Sequence, residues 1–121
     1  MTYINFKDLK TYQLARKISN LGWEIFLNLT WEAKKIVGFQ FIESTDSIGA
    51  NIAEGYGRFH YLDRRKFYFN ARGSLLESQH WFELLIERKL VKNKELTDNY
   101  LVCHKELSLA LNGMINSVSR S

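Results

Sequence analysis

The most regular pattern in the chain lies toward its C-terminus, where Leu96, Tyr100, Cys103, Leu107, Leu111, Met114 and Val118 recur at steps of four and three in near-perfect heptad spacing. That spacing puts them on one stripe of a helix, and Asn93 ahead of it is a good N-cap. The pattern predicts helix four from about Asn93 to Val118. Leu14, Ile18, Leu21, Ile25 and Leu29 repeat in the same way and predict helix one, capped by Asp8 and reaching about Leu29. Trp23 and Leu27 stand roughly 200° around that helix from Leu21 and Ile25, on the face expected to be wet.

Helix two is predicted from about Glu32 to Gly55, with Val37, Phe41, Thr45, Ile48 and Ile52 facing inward. Gly49 in its middle costs ~1 kcal/mol relative to alanine, so its expected use is close packing against a neighbouring backbone. Helix three is predicted from Leu62 or Asp63 to Lys89, with a core stripe of Phe67, Ala71, Ser74, Ser78, Phe82 and Leu85. A second stripe on its far side, Leu62, Phe69 and Leu76, repeats every seven residues and is flanked by Arg65 and Arg72. A helix apolar on two faces needs two partners, and another subunit is the economical second one. Trp23, Leu27, Leu62, Phe69 and Leu76 are therefore the expected oligomer interface.

The segments Ser47 to Arg58 and Asn70 to Glu77 are crowded with small residues, which lets two helices approach closely at the centre. Gly55 and Gly57 are expected to end helix two and supply the freedom to turn. The 121 residues contain no proline and no low-complexity run. The expected fold is one domain spanning residues 1–121: an all-α, antiparallel up-down-up-down four-helix bundle. The single cysteine excludes an internal disulfide. No apolar run approaches a membrane span, and Asn5, Lys7, Asp8 and Lys10 break any signal-peptide core, so a cytoplasmic location with no membrane partner is expected.

The net charge of +4 is modest, but its distribution is uneven. Arg58, Arg64, Arg65, Lys66 and Arg72 face a single acid, Asp63, with Tyr61 and Tyr68 interleaved for stacking on bases. Cations in the first turn of a helix oppose its dipole, so the cluster is expected to serve RNA or DNA phosphates. The bland alternative is a solvated helix start, salt-bridged to acids such as Glu54 and Glu77. Asn51, Glu54, Arg72 and Glu77 form a polar set expected to knit the end of helix two to helix three.

Catalytic chemistry finds no constellation. Glu77 and His80 have the Glu-x-x-His spacing of di-iron bundles, but the second copy is missing, so no metal is expected. No arginine is followed five residues later by histidine, as in some small helical ribonucleases. Gly55-Tyr56-Gly57 is not a phosphate loop. Cys103 and His104 point ~100° apart on a helix, a poor nucleophile and base. A non-enzymatic protein is expected, with no cofactor and no small-molecule substrate.

Four motifs carry a resemblance across nearly the whole chain. They are Phe6-x-Asp8-Leu9-x-x-Tyr12-x-x-Ala15, then Ser47-Ile48-x-Ala50-Asn51-Ile52-Ala53-Glu54-Gly55, then Ala71-Arg72-Gly73-Ser74-Leu75-x-Glu77, and finally Leu111-Asn112-Gly113-Met114-Ile115. Together they resemble the bacterial four-helix-bundle proteins encoded in intervening sequences of 23S ribosomal RNA genes. Gly49, where that family usually has proline, and the polar run Ser44-Thr45-Asp46 depart from it. The resemblance implies a bundle assembled into a ring, typically a homopentamer, without enzymatic activity. More distantly the chain is similar to the accessory variability protein of diversity-generating retroelements, a basic pentamer that associates with nucleic acid. The implied function is an RNA-binding or ribonucleoprotein-associated module. The rival is a protein-interaction scaffold whose basic residues only solubilise it.

Overall fold

The computed structural model describes residues 5–118, and all regular structure among them is helical. A 3-10 turn, Phe6–Asp8, leads into helix α1, Lys10–Leu27. Asp8 belongs to that turn rather than capping α1: the N-cap position is Leu9, without a side-chain cap bond. Asn5 does the capping one turn earlier, its Oδ1 accepting from the Lys7 amide at 3.0 Å.

Helix α2 is the continuous helical run 31–56. It opens with Trp31–Ala33, where Thr30 Oγ1 accepts from the Ala33 amide, and ends with Phe39–Tyr56. Between them, Lys34–Gly38 form a π turn closed by the Phe39 amide on the Lys34 carbonyl. No periodicity in the sequence announces this extra residue. Gly38 in the turn is where Leu29 and Phe26 press in, and a Cβ there would meet Leu29 Cδ1 at 2.9 Å.

Helices α3, Tyr61–Glu87, and α4, Lys94–Ser117, complete the fold. Asn93 caps α4, its Oδ1 accepting from the Leu96 amide at 3.0 Å. The end of α3 is built from backbone alone. The Leu90 amide bonds the Leu85 carbonyl and the Lys89 amide bonds the Ile86 carbonyl, a Schellman arrangement with Lys89 at φ 57°.

The principal packing follows chain order, α1 with α2, α2 with α3 and α3 with α4, and α1 closes against α4. Gly49 of α2 faces Tyr12 and Ala15, while Gly22 of α1 faces Phe41, Ile42 and Thr45. The α2–α3 pair runs from Gly55 beside Phe67 and Tyr68 to Phe41 beside Phe82. At the centre Phe82 and Tyr100 stack at 4.5 Å, with Phe41 against both. Tyr100 is fully buried, and its hydroxyl lies 2.9 Å from Thr45 Oγ1, so the one polar group in that stack is satisfied.

Three stripes differ from those expected: on α1, Leu21 is half-buried and Phe26 is buried. The buried face of α3 is Tyr68, Ala71, Leu75, Ser78, Phe82 and Leu85, with Phe67 and Ser74 only half-buried. On α4, Ile115 is the buried residue of the last turns, and Met114 and Val118 are half-buried. Gly49 is not the tightest approach either. A Cβ there would sit at an ordinary 3.4 Å from Ala15 Cβ, whereas one at Gly55 would meet Tyr68 at 2.7 Å. Gly73 has open space around it and faces no partner helix. No glycine takes a positive φ, and Gly57 ends α2 in right-handed conformation, so the turn into α3 needs no left-handed residue.

Candidate nucleic-acid interface

The cationic segment begins at the α2–α3 turn, and its five basic side chains are held in different ways. Arg58 ion-pairs with Glu54 one turn back on α2, and its guanidinium lies 4.7 Å from the centre of the Phe67 ring. Arg64 reaches back from α3, its Nη1 donating to the Phe59 carbonyl at 2.9 Å. It therefore closes the turn. Arg65 is exposed, 5.5 Å over the Phe69 ring, and Lys66 is exposed, 5.9 Å over Phe67. Arg72 lies 4.7 Å over the same Phe69 ring, is half-buried, and donates to Asn112 Oδ1 of α4 at 3.4 Å.

Phe69 is thus shared by two guanidinium groups, and Phe67 by Arg58 and Lys66. Each of these four charges is attracted to the face of its ring. Of the five, only Arg58 is in an ion pair among the described residues. Arg65 and Lys66 are the cations with neither an ion pair nor a structural bond among the described residues.

Tyr68 is not available for stacking. It is 2% exposed, packed against Gly55, and burial raises its phenol pKa against the opposing effect of Arg64. Phe59, 88% exposed in the turn and edge-on to His60 at 5.3 Å, is the aromatic group on offer. The available signal was its position: a large apolar residue in a turn, outside every stripe. The polar set also dissolves. Asn51 bonds its own helix at the Ser47 carbonyl, Glu54 takes Arg58, Glu77 accepts from Trp81 Nε1, and Arg72 turns to α4. Each finds its partner on its own helix, in the following turn or on α4.

The residues set aside for subunit contact are all exposed, in two separate places. Leu62, Phe69 and Leu76 line the outer face of α3, in one row with Arg65 and Arg72. Trp23 and Leu27 lie at the opposite end of α2, beside exposed Trp31, Ile36 and Phe39. There Trp23 stacks on Phe26 at 5.4 Å, Phe26 touches Phe39 and Phe39 touches Trp31, a continuous line of rings. His80 stays exposed against Trp81, and no group of three metal-ligating side chains occurs among the described residues.

A match to the 23S rRNA-intervening sequence protein family spans residues 7–113. The chain belongs to that family. Among solved structures it is similar to a protein of unknown function from the S23 ribosomal protein family of Bacteroides thetaiotaomicron. The two share 25% identity over 90% of this chain and 96% of that one, with a TM-score of 0.71. No curated protein matches the chain. The segment shared by the family contains every basic and apolar surface residue described above. No helix among the described residues is long and apolar enough to cross a membrane.

Proposed function

We propose that this family member is a non-enzymatic cytoplasmic RNA-binding module. In this reading it is an antiparallel up-down-up-down bundle whose copies join into a ring, a pentamer. The observation that carries the nucleic-acid reading is the pair of aromatic rings, Phe67 and Phe69, that hold four cations at the surface of one short stretch. Lys66 contacts phosphate together with Arg65, which flanks the α3 stripe, Arg58 joins them on releasing Glu54, and Phe59 offers a face to an unpaired base. Arg64 and Arg72 hold the turn and the α3–α4 contact in place. The antiparallel topology is supported by residue pairs that climb along one helix as they descend the next.

The ring is supported by the two unlike apolar patches. A two-fold dimer buries a patch against itself, while joining the Trp23 and Leu27 end of one copy to the α3 stripe of the next is a head-to-tail contact, which gives a closed cycle where the rotation between copies closes. Repeating one weak cationic surface around such a cycle raises avidity without new contacts.

The test is binding of single-stranded RNA and DNA across a salt series, for wild type and for Arg65→Glu with Lys66→Glu, both checked for solution mass. A steep salt slope in wild type and its loss in the variant are expected. Absence of binding at low salt overturns the RNA reading in favour of a protein scaffold. A monomeric mass at micromolar concentration overturns the ring.

A further inference from the structure

Of the sequential helix neighbours, α3 and α4 are the least closely packed, and the space between them opens into a cleft of about 360 Å³. That size lies within the range of small-molecule sites. Its base is apolar, the stacked rings of Phe82 and Tyr100, with the half-exposed side chain of Leu101 beside them.

The two walls differ in charge. Glu83 lies on the α3 wall, where its Oε1 accepts from Gln79 Nε2 at 2.9 Å. Lys105 lies on the α4 wall beside His104 and Ser108. The His104 Nε2 is 3.1 Å from the Leu75 carbonyl, which only accepts, so Nε2 carries a proton and the ring is held in one orientation. Glu83 and Lys105 line one cleft, yet neither is in an ion pair among the described residues. Opposite charges on the two walls of a cleft with an apolar base are complementary to a molecule that carries both.

We propose that this cleft binds a small zwitterion with an apolar body, of the class of a free amino acid with a large side chain or a dipeptide. The carboxylate meets Lys105, the ammonium meets Glu83, and the side chain lies along Leu101. The site uses none of the residues assigned to nucleic acid and stands independently of that reading.

The test is an NMR titration following the Leu101 methyls and the His104 ring, with L-phenylalanine, L-phenylalaninamide and N-acetyl-L-phenylalanine as probes, and the leucyl-phenylalanine dipeptide as a larger one. Saturable shifts are expected with L-phenylalanine, with at least about tenfold weaker binding of the two analogues that each lack one charge. Glu83→Lys and Lys105→Glu should each weaken L-phenylalanine by about tenfold, and the double exchange should restore it to within about threefold as the ligand reverses end for end. No saturable shift with L-phenylalanine or the dipeptide at tens of millimolar overturns the proposal. Equal binding of the three phenylalanine probes, or unchanged affinity in the single variants, overturns it equally. The probe series runs on wild-type protein, so it decides the matter even where a variant folds poorly.

Discussion

The ring of Tyr68 occupies the space where a side chain on residue 55 would go: a Cβ built on Gly55 meets Tyr68 Cε1 at 2.7 Å, with Phe67 Cβ at 2.9 Å. Both neighbours are fixed, one by burial and the other by its place next to the backbone. Gly55→Ala should therefore destabilise the fold by about 1–3 kcal/mol, the overpacking cost outweighing the gain in helix propensity. Gly49→Ala should do the opposite, gaining up to ~1 kcal/mol, because its Cβ meets only ordinary contacts. Urea unfolding of the two variants should move the midpoint in opposite directions.

The end of α3 yields a second prediction. Lys89 sits at φ 57°, a region that side-chain-bearing residues enter at a cost of roughly 1 kcal/mol. Lys89→Gly keeps both Schellman bonds and should stabilise the protein by up to about 1 kcal/mol, read as a higher melting temperature. A lower melting temperature would mean that the lysine side chain holds the turn.

Burial pushes the Tyr100 phenol up to about 12, with the Thr45 and Ser78 hydroxyls acting against it. In the unfolded chain the phenol ionises near ~10. Above that pH the unfolded chain loses a proton that the folded chain keeps, so stability is full below about pH 10 and falls between about 10 and 12. This one group contributes a slope of roughly 1.4 kcal/mol per pH unit. Tyr100→Phe should flatten the decline while costing about 1–3 kcal/mol at neutral pH, where Thr45 loses its partner. Denaturation at several alkaline pH values distinguishes the two effects.

Glu54 competes with phosphate for Arg58. Glu54→Gln should leave stability within about 0.5 kcal/mol, as expected for an exposed i,i+4 pair. Under the RNA reading it should tighten nucleic-acid binding several-fold at low salt and less at high salt. Unchanged affinity would remove Arg58 from the interface.

Much of the fold was legible because burial follows helical period. The inward residues of α2, from Val37 through Phe41, Thr45, Ile48 and Ile52, are all buried, and Asn93 caps α4. Where period alone was ambiguous, the reading slipped by one position. Phe67 and Tyr68 are adjacent aromatic residues, and Tyr68 is the one that turns inward, in step with Ala71, Leu75 and Ser78 and into the space that Gly55 leaves. The same slip turned a core tyrosine into a candidate base-stacking group. The end of α3 was read to within two residues, at Lys89 against Glu87, although its C′ residue is lysine and the glycine signal of a helix end is missing. Charge clustering located the basic surface, but not that Arg64 serves the turn and Arg72 serves α4, because those partners are backbone carbonyls and a distant asparagine.

The π turn at Lys34–Gly38 marks the place where α2 can lose a residue. A π turn is an α-helix carrying one residue more than its hydrogen bonding requires. Removing one residue there returns the ordinary bond pattern without altering the register of the helix on either side. Deleting one residue at that point should shorten α2 while keeping the buried face from Phe41 to Ile52 intact. An insertion anywhere else along that face would rotate everything beyond it by about 100° and expose the core.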